Sequence, residues 1–68
     1  MNRIPRNFDF IIAEAQTDTN GANKGDWFLV TRDDRGVLIG TNSRTHIEYR
    51  MFADHLRNEN YYKFVRVA

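Results

Sequence analysis

Two histidines, His46 and His55, the single serine, Ser43, and an adjacent carboxylate pair, Asp33-Asp34, have the side-chain types suited to proton transfer or nucleophilic attack. Their spacing argues against each use. Ser43 stands in a polar stretch ahead of a helix start, where serine serves local backbone hydrogen bonding, and no motif sets a base beside it. His46 and His55 are nine positions apart, about 180° around a helix at roughly 100° per residue, so they share a metal only if one lies outside the helix. Asp33-Asp34 opens the sequence DDRG, which reads as a tight turn whose aspartates serve the backbone. Asp18, Asn20 and Asp26 are a scattered set of oxygen ligands without the glycine and glutamate that a calcium loop requires. The absence of Cys excludes disulfides and thiolate metal sites. The expectation is a protein that is not an enzyme and that carries no cofactor and no metal.

Recognition is better supplied than catalysis. Eight of the ten basic residues are Arg, whose planar guanidinium binds carboxylate and phosphate in two-pronged fashion. The one tryptophan, Trp27, opens the run WFLV, apolar without alternation. Trp and Arg are the residue types that dominate the energetics of protein interfaces. The same pair suits stacking of single-stranded bases. The run 24–30, KGDWFLV, resembles the basic-Gly-aromatic segment of the RNA-recognition-motif sheet. That fold needs two helices in βαββαβ order, and this chain offers one. A net charge of +1 also gives little electrostatic attraction for a polyanion.

These residues are positioned by few elements. Residues 8–15, FDFIIAEA, alternate as a strand, with Ala and Glu content that admits a short helix. Residues 17–26, TDTNGANKGD, have the composition of a loop. Strands are expected over 27–32 and 37–41, joined by a turn with Gly36 in the left-handed position. That register pairs Arg32 with Leu38, Thr31 with Ile39 and Val30 with Gly40. The spacing Thr45-x-x-Glu48 fits a capping box and predicts a helix from there to Arg57 or Asn58. Tyr49, Phe52, Ala53 and Leu56 form its apolar stripe, and Ile47 and Met51 fall on its exposed side. Residues 61–67, YYKFVRV, are a last strand. The fold class is α+β: one domain over 1–68, a small antiparallel sheet in the order β-β-β-α-β with one helix packed on one face.

One helix covers one face of a sheet, yet the hairpin is apolar on both. Gly40 permits close approach on the side of Phe28, Val30 and Leu38, so that side is expected to face the helix. Trp27, Leu29 and Ile39 then line an uncovered face, with Arg32 and Arg35 as its polar rim at the turn end. In the competing arrangement Trp27 is core and the loop 17–26 folds over it.

A chain of 68 residues buries only about 60% of its unfolded surface, so association is a natural support. No apolar run approaches a signal peptide or a membrane span, and with no Cys the expected location is the cytoplasm, with no membrane partner. The expected function is non-catalytic binding, as a small adaptor or inhibitor of another protein, with homodimer formation as one form of it. A nucleic-acid-binding module is the alternative, and no small-molecule substrate is expected. A short chain without catalytic equipment resembles in kind the small modulators of phages and mobile elements, such as anti-CRISPR and anti-restriction proteins; this is a likeness of class.

Overall fold

The computed structural model describes residues 8–19 and 21–68. It contains a five-stranded antiparallel sheet and one short helix. The strands are β1 (Ile11–Ala15), β2 (Trp27–Arg32), β3 (Leu38–Asn42), β4 (Glu48–Arg50) and β5 (Tyr62–Val67), and the helix α1 is Ala53–Leu56. In space the order is β4-β3-β2-β1-β5. The first four strands follow one another across the sheet, and β5 returns to pair with β1 on the opposite edge from β4.

The β2–β3 hairpin has the register expected from its turn, with Arg32 opposite Leu38 and Val30 opposite Gly40. Gly36 is left-handed at φ 81°, which a glycine adopts at no steric cost. The Asp33 carboxylate accepts the amides of Arg35 (2.8 Å) and Val37 (2.9 Å). Asp33 is therefore occupied by the turn it builds.

The helix expected from Thr45 onward is not there. Asn42, fully buried, accepts the amides of Arg44 (2.8 Å) and Thr45 (3.1 Å) through its side-chain oxygen. It nucleates a single turn three residues before the expected cap. His46 then takes the left-handed conformation, φ 62°, which stops the turn and leads the chain into β4. Over 48–51 the relevant period is two rather than 3.6: Tyr49 and Met51 point inward, while Glu48 and Arg50 point outward. The order is thus β-β-β-β-α-β, and α1 is one turn long, entered through Phe52 with no side-chain cap. Met51 is 5% exposed instead of facing solvent, whereas Phe52 is 50% exposed instead of forming core. Ile47 is exposed, but ahead of β4 and not on the helix whose phase predicted it.

The inner side of the sheet holds the core. Ile11, Ala13, Phe28, Val30 and Leu38 supply its floor, and Tyr49, Tyr62 and Phe64 pack against it. Its cover is assembled from irregular pieces. Phe8 packs from the N-terminal side, Ala22 from the long loop, and Met51 and Leu56 from the connection between β4 and β5. The two edge strands are four strand spacings apart, about 19 Å at ~4.8 Å per spacing. Residues 51–61 span that distance with Met51 and Leu56 turned into the core. Gly40 serves a close approach, though the approaching group is the Met51 side chain and not a helix: a Cβ at Gly40 would lie 2.9 Å from Met51 Cγ.

Candidate interaction face

The side of the sheet opposite the core is built by alternation in β1, β2 and β3. In β1 and β3 every core-side residue is buried and every residue between is half-buried. In β2 Phe28 and Val30 are buried, while Trp27 is exposed and Leu29 and Thr31 are half-buried. Strand pairing sets the outward residues in cross-strand rows. One row runs Glu48, Thr41, Leu29, Ile12, Arg66 from one edge to the other. Flanking it are Arg50, Ile39, Thr31 on one side and Trp27, Glu14, Lys63 on the other. An apolar centre of Ile12, Leu29, Ile39 and Trp27 therefore has charged side chains at both edge strands.

Trp27 is 40% exposed, and the Arg66 guanidinium lies 5.9 Å from its ring centroid, a cation–π distance. The described residues of the loop leave it exposed. Ala22 enters the core on the other side of the sheet, and Gly21 approaches the Tyr49 hydroxyl. Of the two arrangements open to the sequence, the fold adopts the one with Trp27 outside the core.

The backbone at Trp27 is held from both neighbours. Ser43 donates its amide to the Trp27 carbonyl at 2.9 Å, and Ala15 donates to the Asp26 carbonyl at 2.8 Å. The Asp26 side chain fixes the start of β2 to the β3–β4 loop. It accepts from Arg44 Nη2 (2.9 Å), Asn42 Nδ2 (3.0 Å) and the Asn23 amide (2.9 Å). These donors, the Arg44 guanidinium first, hold the Asp26 carboxyl well below the usual carboxylate range. Asp18 similarly accepts the Lys24 amide at 2.7 Å. The loop acids hold the loop in shape, and among the described residues no three His, Asp or Glu side chains gather as a metal site.

Of the residues singled out in the sequence, Trp27, Leu29 and Ile39 share this outer face. Arg35 is exposed at the hairpin tip. Arg32 does not join them. It lies two residues beyond Val30 and so on the core-side pleat, where Nε donates to Asp9 at 3.1 Å and Nη1 to the Gly36 carbonyl at 2.8 Å. The rim at the β5 edge comes instead from Lys63 and Arg66, which sequence reasoning missed. Ile12 was within reach, because the alternation of 11–15 puts it opposite the buried Ile11. Lys63 and Arg66 were not, because the β1–β5 pairing is remote in sequence and contains a bulge that shifts its register between Phe64 and Arg66.

In architecture this is a small α+β domain with a meandering antiparallel sheet and one open face. Comparison with known proteins finds no matching family model, no matching curated protein and no matching solved structure.

Proposed function

We propose that the chain is a non-catalytic binding protein, an adaptor or inhibitor that associates with another protein through the outer face of its sheet. The observation that carries this reading is Trp27: a large aromatic, 40% exposed, in a segment pinned by main-chain hydrogen bonds. It shares the face with Leu29 and Ile12 in the adjoining row and with Ile39 in the row beyond, within a charged border. An apolar centre with a polar rim is the usual anatomy of a protein interface, and a fixed aromatic loses little freedom on binding. Glu14 beside Trp27, and Glu48 at the β4 edge, suit a protein partner better than a phosphate backbone.

The test uses the folded chain as bait in cell extract, with and without nuclease and at low and high salt. Trp27→Ala should weaken capture of the bound protein by about 2 kcal/mol or more, roughly 30-fold. It should damage folding far less than Phe28→Ala, whose fully buried ring is worth about 3–5 kcal/mol to the fold. Capture that nuclease abolishes, or that survives Trp27→Ala undiminished, would refute the proposal.

A further inference from the structure

On the core side of the molecule, reaching the β4 edge at Arg50, a cleft of about 360 Å³ opens between β4, α1 and the start of β5. Its walls are aromatic. Phe28 forms the floor, with the rings of Tyr49 and Tyr62 edge-on to it at centroid separations of 5.7 and 5.9 Å. His55 stands between Phe52 (5.4 Å) and Tyr61 (5.1 Å) at the rim. Phe52 and Tyr61 are 50% and 42% exposed, a high proportion for large aromatic side chains in so small a core. The polar side chains among the lining residues are those of Tyr49, Tyr61, Tyr62, Thr19, His55 and Arg50. The Tyr62 hydroxyl donates to Met51 Sδ at 3.8 Å, and the Arg50 guanidinium lies 5.2 Å from the Phe52 ring centroid. Among the described residues no carboxylate lines the cleft.

The volume lies at the lower end of the range for small-ligand sites, and aromatic walls with a few polar groups are their usual lining. Flat rings are accommodated edge-to-face or offset against such walls. The charge on the lining is positive, and Arg50 presents paired N–H donors that suit a carboxylate or phosphate. We infer that this cleft binds a planar aromatic ring carrying an anionic group, with the ring among Tyr49, Phe52, His55, Tyr61 and Tyr62 and the anion on Arg50. Arg50 stands on the β4 edge and borders both the cleft and the outer face, whereas Trp27 does not line the cleft; the Trp27 and Arg50 variants therefore separate the two readings.

Nitrogen-15-labelled full-length chain would be titrated, by NMR, with 2-naphthoate and with adenosine monophosphate, and with neutral 2-naphthalenemethanol as the control. Saturable shifts confined to the residues around the cleft are expected with at least one of the two anions, and the tighter one tells whether carboxylate or phosphate is preferred. Arg50→Gln, a substitution on an exposed edge-strand side chain, should weaken that anion at least tenfold while leaving the rest of the spectrum in place. The neutral probe should bind the parent at least tenfold more weakly than the anion. Arg50→Lys, which keeps the charge and loses the planar donor pair, should restore part of the affinity, and a variant that does not restore it would count against anion binding at this position. Absence of saturable shifts with both anions, equal binding of the neutral probe, or an Arg50→Gln affinity equal to that of the parent would overturn the inference.

Discussion

The contact between Gly40 and Met51 predicts a substitution whose effect changes sign with its background. A Cβ added at Gly40 would lie 2.9 Å from Met51 Cγ and 3.0 Å from Sδ, and it would also collide with Cε. Ordinary carbon contacts need about 3.5–4.0 Å. Met51 must therefore leave a slot in which it is 5% exposed, and overpacking of this kind costs about 1–3 kcal/mol. The backbone offers no objection, because Gly40 is not among the positive-φ glycines. Alanine also restricts the unfolded chain, worth about 0.4–1 kcal/mol in favour of folding. Gly40→Ala should thus destabilise by about 1–2 kcal/mol net. Met51→Ala should cost about 2–5 kcal/mol, towards the low end because Met51 follows the short edge strand β4. With Met51 already truncated, the added methyl meets open space, and Gly40→Ala should stabilise by about 0.4–1 kcal/mol. The resulting coupling, about 1.5–3 kcal/mol, is in the range for side chains in direct contact. Urea unfolding of the parent, both single variants and the double variant, followed by far-ultraviolet circular dichroism, would measure it. Sucrose added equally to all four would keep the Met51→Ala chains folded at zero denaturant. If Gly40→Ala cost the same in both backgrounds, the packing of Met51 on β3 would be refuted.

Two further predictions concern the β3–β4 loop. Asn42→Ala should cost about 1–3 kcal/mol, because it strands the amides of Arg44 and Thr45 and a partner of Asp26. Thr45→Ala loses only a 3.3 Å acceptance from the exposed Ile47 amide and should change stability by less than about 0.5 kcal/mol; unfolding midpoints in the reverse order would return Thr45 to the role of cap. Because the folded-state pKa of Asp26 is depressed, its stabilising effect is complete above the unfolded value of about 4 and is lost as pH falls through the folded one. Asp26→Asn should therefore be less stable than the parent at pH 7, with the gap narrowing below about pH 4, and a gap independent of pH in urea titrations would contradict the Arg44–Asp26 linkage.

Much of the hairpin was legible because its determinants are local. The turn DDRG sets the register of β2 on β3, and alternation then sorts Phe28 and Val30 from Trp27 and Leu29. The same locality misled around residues 45–57. Tyr49, Phe52 and Leu56 recur at helical spacing, while Tyr49 and Met51 recur at strand spacing, and nothing within the segment chooses between the two periods. The choice was made by Asn42, whose side chain captures the amides of the following turn, and by the room above Gly40 that receives Met51. Both are contacts with β3 and not properties of the segment itself.

What the sequence determined by itself was therefore the hairpin, the loop between β1 and β2, the final strand and the surplus of apolar sheet surface. Tertiary structure alone decided which strand β5 would join, that a bulge would bring Arg66 to the Trp27 ring, and that Arg32, whose core-side place alternation already sets, would meet Asp9. It also decided that the aromatics of 49–62 would enclose a cleft. The physical reason is range: turn geometry and side-chain alternation act within a few residues, whereas these arrangements depend on pairing and packing between segments distant in sequence. Their free energy is realised only when the whole sheet has formed.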